Sequence, residues 1–366
     1  MFEKGSSLKD QLFGNVFFEH FTTCVKEVIP TLDEKLFYAQ CIHDFEPLSL
    51  IERMSQGAGV LSKHLTNDFE ENVFYIKKIA PKLNDGFAGI ILPEYIKQEG
   101  LAHFELSMDA LKFLTPFSSS ELAIRPFIKK YKERVFELFY VWVEDKNEHV
   151  RRWCSEGTRS RLPWAMRLDI CIAQPELNRP ILEKLKADDS LYVRKSVANH
   201  LNDQTKDNPT WVLALLEQWD QTNKHTAWIT KRALRTLIKE GHPKTFHFLG
   251  YESNPQIQLK DFTILNKNIV LGNELSFSFR LSSTKKATQK LVIDYKIHYL
   301  KANGKLSAKV FKLKEVTLEG DASIRIEKKH AFKDFSTRKH YEGMHHISIM
   351  INGEKYAEEK FQLVIE

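Results

Sequence analysis

One short stretch combines the residue types that chemistry needs. Ser155–Trp164 (SEGTRSRLPW) holds a carboxylate, two arginines and a tryptophan within ten positions. Pro163 suits the first position of a helix, which puts Trp164 in a first helical turn as a candidate exposed aromatic platform, with burial the ordinary alternative for a tryptophan. Arg159 and Arg161 then precede a helix N-terminus, where free N–H groups and the dipole favour a phosphate. Two carboxylates interrupt an otherwise basic region: Glu156 late in one repeated helix and Asp203 late in the next. Equivalent ends of stacked helices share an edge, so the two acids can converge and stabilise a cation. Salt bridging to a nearby arginine is the ordinary alternative for both. Glu121 follows Ser118-Ser119-Ser120 at a helix start, where the dipole alone explains an acid.

The elements that hold these residues follow from periodicity. Residues 1 to about 250 are helical, with apolar residues three and four apart, as in Val135, Leu138, Phe139 and Trp142. Three blocks repeat an apolar–basic pair after a polar turn: Val150-Arg151-Arg152, Val193-Arg194-Lys195 and Ile229-Thr230-Lys231-Arg232. Arg151 and Arg194 lie 43 residues apart, and Lys231 lies 37 further on. Such periods match a HEAT-like α-superhelical solenoid. On a curved stack the repeated basic positions Arg152, Arg194, Lys195, Lys231, Arg232 and Arg235 line one face, a track that fits a nucleic-acid backbone. Near residue 255 the period becomes two, as in Leu275, Phe277, Phe279 and Leu281. About seven strands in this segment predict an immunoglobulin-like β-sandwich. The expected division is a helical domain over 1–254 and a sandwich over 255–366.

Composition narrows the function classes. The net charge of +6 resolves into −6 over residues 1–118, +6 over 119–250 and +7 over 257–366, with Glu252 between. Two basic segments behind an acidic one allow an anionic partner. Cys24, Cys41, Cys154 and Cys171 show no CxxC spacing, so a metal site and a disulfide framework are not expected. There is no GxSxG, HExxH or P-loop signature, and His345-His346 has no metal-site spacing. No signal-peptide pattern and no membrane-length apolar run are present, and the chain reads as cytoplasmic with no membrane partner.

The quoted text also carries a family resemblance. SEGTRSRLPW, LYVRKSVANHLND at 191–203 and KRALRTLIKEGHP at 231–243 resemble the AlkC family of DNA alkylation repair glycosylases. SSELAIRPFI at 119–128 and DYKIHYLKANGKLSAKVFKLK at 294–314 resemble it too. The likeness spans nearly the whole chain and is weakest before residue 110. Many relatives read TRPRLPW where this chain has Ser160. The resemblance implies HEAT-like repeats, an immunoglobulin-like domain, and excision of cationic N3-alkylated bases (3-methyladenine, 3-methylcytosine) from double-stranded DNA. It implies a monofunctional hydrolase that works as a monomer, without a cofactor and without flipping the base into a pocket. It places the active-site cluster on Glu121, Glu156, Trp164 and Asp203. A non-catalytic scaffold binding DNA or protein is the competing class, since fold does not fix function.

Overall fold

The computed structural model describes residues 7–252, 254–334 and 339–365. The chain folds into two compact units: residues up to Trp211 with Thr222–Ile229, and Val212–Gln221 with Thr230 onward.

The first unit is helical, and its repeats have a local cause. The helices Glu148–Gly157, Leu191–Gln204 and Lys224–Ala233 each follow a polar capping residue. The Asn147 side chain accepts from the His149 N–H, Ser190 from Tyr192 and Val193, and Asn223 from His225 and Thr226. Each cap satisfies N–H groups that a helix start leaves unpaired. The arginine of the repeated pair closes the same turn from the other side. Arg151 Nη1 donates to the carbonyls of Asp145 and Lys146, and Arg194 Nη1 donates to those of Asp188 and Asp189. The offsets are identical in the two repeats. Arg194, expected on the nucleic-acid track, is therefore a turn-closing residue. The first repeat is also tied to the second, because Arg151 pairs with the half-buried Asp188 through two bonds of 2.7 and 3.0 Å.

The second unit holds the sandwich. Its strands are β1 (Ile257–Ile264), β2 (Asn268–Val270), β3 (Glu274–Ser283), β4 (Gln289–Leu300), β5 (Leu306–Leu318), β6 (Ser323–Ala331), β7 (Gly343–Ile351) and β8 (Glu354–Val364). The sheets run β1-β3-β6 and β2-β8-β7-β4-β5. The alternating residues of β3 (Leu275, Phe277, Phe279, Leu281) share one core with Ile293, Tyr295 and Ile297 of β4 and Ile347 and Ile349 of β7. β2, three residues pairing parallel with β8, is too short to show a period.

Periodicity puts the boundary at residue 254/255, but packing places the last helices with the sandwich. Gly241 takes a left-handed φ of 75°, and a Cβ there would meet the Gly353 carbonyl oxygen at 2.9 Å. Lys296 Nζ reaches the Glu240 carbonyl at 3.4 Å, and Asn352 Nδ2 reaches the Glu252 carbonyl at 2.9 Å. A change of period marks a change of secondary structure, whereas a unit is set by packing.

The Arg151–Asp188 link gives a stability test. Asp188→Ala strands a largely buried guanidinium and removes the acceptor of the Ser190 N–H. Urea unfolding of the variant is expected to show a loss of about 3 kcal/mol. A loss under about 0.5 kcal/mol, the level of a surface substitution, contradicts an inter-repeat role.

Candidate active site

Four buried side chains and the half-buried Arg152 form a line of alternating charge. Arg152 and Glu156, four residues apart, share a face of the helix Glu148–Gly157. Arg152 Nη1 and Nη2 donate to the two Glu121 oxygens at 2.8 and 3.2 Å, and Nη1 also donates to Ser119 Oγ. Its Nη2 lies 3.6 Å from Glu156 Oε1. That oxygen accepts from Arg159 Nη1 at 2.5 Å, while Glu156 Oε2 accepts from Ser196 Oγ at 2.5 Å. Arg159 Nε then donates to Asp203 Oδ2 at 2.8 Å. Asp203 Oδ1 has a looser contact, with Lys206 Nζ at 3.5 Å. The order is Glu121–Arg152–Glu156–Arg159–Asp203, ending on the exposed Lys206.

Burial and pairing oppose each other along this line, and pairing wins. Burial alone would raise the Glu156 pKa. Arg152, Arg159 and the Ser196 hydroxyl outweigh it and hold the carboxyl below its ordinary value. Burial likewise works against the two guanidiniums, and the flanking carboxylates raise both. Beneath them, burial drives His200 down to about 4, so the imidazole is neutral at pH 7. Its Nδ1 lies 2.9 Å from the Ser155 carbonyl, which assigns the proton to Nδ1.

Trp164 sits in a turn, not in a helix. The Ala165 N–H bonds the Leu162 carbonyl, with Pro163 and Trp164 between them. Trp164 has a φ of 61°. A left-handed third residue after proline is type II turn geometry, normally a place for glycine. A proline suits this turn as well as a helix start, which is why the sequence pattern misleads. The helix that follows begins only at Asp169, so Arg159 and Arg161 do not precede a helix N-terminus directly. The Trp164 ring is 57% exposed and meets Phe87 at a centroid distance of 5.7 Å. A bulky residue held at positive φ and facing solvent is an uncommon conformation that the surrounding structure must hold in place.

The structure brings Glu121, Glu156 and Asp203 into one ion-paired line, and Trp164 stands on the loop that begins with Arg159. Glu121 lies in a turn and its partner is Arg152, whereas the sequence suggested a helix dipole. The helix after it starts at Ile124. Arg152 and Arg159, expected on the phosphate track, pair with carboxylates on both sides, Arg159 buried and Arg152 half-buried. Arg161 grips Asp207 through two bonds of 2.8 and 2.7 Å. Lys195, Lys231 and Arg232 are exposed, and Arg235 is half-buried with Nη1 on the Arg232 carbonyl. Sequence reasoning missed Ser196, Phe87 and Tyr192, whose ring lies 4.7 Å from the Arg152 guanidinium, and saw Ser119 only as part of a helix start. Only Tyr192 left a signal, an aromatic beside the repeated Val193-Arg194 pair. Among the described residues, no group of three or more His, Cys, Asp or Glu side chains is arranged to hold a metal. No described helix is long and apolar enough to cross a membrane.

Comparison with known proteins adds three findings. Residues 258–365 match the family profile "Uncharacterised protein YhaZ, C-terminal Ig-like domain". The protein YhaZ of Bacillus subtilis (strain 168), described as uncharacterized, is 42% identical over 322 residues, covering 88% of this chain and 89% of its own. The solved structure of Pseudomonas fluorescens alkylpurine DNA glycosylase AlkC, bound to DNA containing an abasic site analog, superposes with a TM-score of 0.91. It is 41% identical, covering 98% of this chain and 100% of that one.

The depressed Glu156 pKa has a sign that stability measurements can read. A carboxyl lowered in the folded state stabilises fully above its unfolded pKa, here near 4.5, and loses that contribution as pH falls through the folded value. Glu156→Gln is therefore expected to unfold more easily than wild type by about 3 kcal/mol at neutral pH, with the gap closing on acidification below about pH 4.5. A gap that is constant from pH 7 to pH 3 contradicts the ion-paired state of Glu156.

Proposed function

The chain belongs to the AlkC family of DNA glycosylases, and from that premise we propose that it hydrolyses the N-glycosidic bond of cationic N3-alkylated bases, 3-methyladenine and 3-methylcytosine, in double-stranded DNA. The observation that carries this reading is the buried alternating line, Glu121 to Asp203, with the exposed Trp164 on the loop that begins at Arg159.

An N3-alkylated base already carries the positive charge that makes it a leaving group. As the C1′–N bond breaks, its electron pair neutralises the departing base and the positive charge passes to the sugar. An aromatic face contributes about 0.5–2 kcal/mol of cation–π attraction, which is the role assigned to Trp164. Fixed carboxylates contribute more where water is excluded. Both Glu156 oxygens are engaged, so Glu156 acts as a rigid negative charge. Asp203 Oδ1, the most loosely held oxygen of the line, orients the attacking water and takes its proton as the new C1′–O bond forms. Glu121 anchors Arg152 and thereby the rest. Water closes the reaction, so the enzyme is monofunctional, and no cofactor takes part. An exposed aromatic presented on a turn suits a mechanism without base flipping.

The helical repeats, residues 1–254, supply the catalytic and DNA-binding part. Lys195, Lys231, Arg232 and Arg235 are assigned to phosphates, with Arg161 joining them when it releases Asp207. The sandwich, residues 255–366, serves as a second DNA-binding surface, and β5 offers the exposed Lys309 and Lys314 on a sheet edge. The enzyme acts as a monomer in the cytoplasm.

Two measurements test this reading. Asp203→Asn is expected to lower single-turnover 3-methyladenine release from methylated duplex DNA by on the order of 10²-fold, with DNA affinity retained. Unchanged release removes the assignment of Asp203, and wild-type protein that binds DNA without releasing base supports the scaffold reading. Lys195→Gln and Lys231→Gln are each expected to reduce the log–log salt slope of DNA binding by about 0.9. An unchanged slope takes that lysine off the DNA.

A further inference from the structure

Arg125 is a fully buried guanidinium whose hydrogen-bond partners are all backbone carbonyls. Nε donates to Met166 at 2.7 Å, and Nη1 donates to Gly157 at 3.2 Å and Arg159 at 2.9 Å. Nη2 has no partner among the described residues. A buried cation held only by neutral dipoles is costly, and burial lowers its pKa to about 10. Arg53, equally buried, shows the ordinary solution: it is paired with Asp10 and Glu46. Arg125 is kept without a carboxylate contact of that kind.

The positions of the three carbonyls supply the reason. Gly157 and Arg159 stand where the chain leaves its helix, and Met166 stands where the turn bearing Trp164 ends. One rigid planar group therefore bridges both ends of the loop. Gly157 permits the approach, since a Cβ there would lie 2.9 Å from Ile124 Cγ2, next to Arg125 in sequence. The Leu168 N–H closes the loop a second time on the Ser160 carbonyl at 3.2 Å. A loop fixed in this way can carry a tryptophan at a left-handed φ that a free chain disfavours. A lysine at position 125 keeps the charge but has no fork to span both ends.

We propose that Arg125 is a positioning residue for base excision, a staple across the loop ends that holds Trp164 in its outward, left-handed conformation. The proposal rests on the glycosylase reading of the site. The test uses the full-length protein labelled with 5-fluorotryptophan, with Trp164→Phe to identify the Trp164 fluorine resonance. Arg125→Lys is expected to shift that resonance toward that of free tryptophan and to lower single-turnover 3-methyladenine release by on the order of 10²-fold, with DNA affinity within about threefold. In a Trp164→Ala background, the same substitution is expected to remove no more than about threefold further, because it acts through Trp164. Two results overturn the proposal: an unmoved resonance, or an equal loss of rate with and without Trp164. If Arg125→Lys does not fold, Arg125→Gln replaces it as the variant that removes the fork. A shifted resonance with reduced release then supports the staple, and an unmoved resonance refutes it. If wild-type protein releases no base, the glycosylase reading fails, while the resonance still reports on the staple.

Discussion

Five charges in one line, four buried and Arg152 half-buried, are the main constraint on the helices that carry them. Each ion would lose several kcal/mol of hydration on burial. The line survives because every charge touches its opposite, Ser119 Oγ accepts from an Arg152 N–H, and the Ser196 hydroxyl donates to Glu156. That demands three separate pieces of chain in fixed register: the turn at Glu121, the helix carrying Arg152 and Glu156, and the helix carrying Ser196 and Asp203. The repeated caps and the Arg151–Asp188 bridge supply that register. The contacts that permit burial also keep Glu156 ionised.

Much of this was legible from sequence, for identifiable reasons. Period 3.6 giving way to period 2 predicted helices and then a sandwich, and repeated Val-Arg pairs marked successive helix starts. Glu156 and Asp203 stood out because acids at equivalent ends of repeated helices need an explanation. What failed was partner assignment. Charge sign is visible in a sequence, but the group that a charge meets is not. Arg152 and Arg159 therefore passed for phosphate ligands when they bridge carboxylates, and Arg194 passed for one when it closes its own turn. Pro163 was ambiguous because one fixed φ serves both a helix start and a turn. Phe87 could not be found, since it stands 77 positions before Trp164 and no periodic signal links them.

The second unit carries a separate lesson. Its strands were readable from alternation, but the grouping of the last helices with the sandwich depends on two glycines, Gly241 and Gly353, whose close approach only a folded chain reveals. Position 241 needs a residue that tolerates positive φ and offers no Cβ to the facing carbonyl.

The central claim is that guanidiniums on both sides hold Glu156 as a permanent anion while an alkylated base departs. The pH dependence of single-turnover 3-methyladenine release by the wild-type protein tests it most directly. The rate is expected to stay flat from about pH 8 to about pH 5, with its acidic limb below the ordinary glutamate range. A limb with its midpoint above about pH 5 would mean that a loosely held carboxyl, not an ion-paired one, governs the reaction.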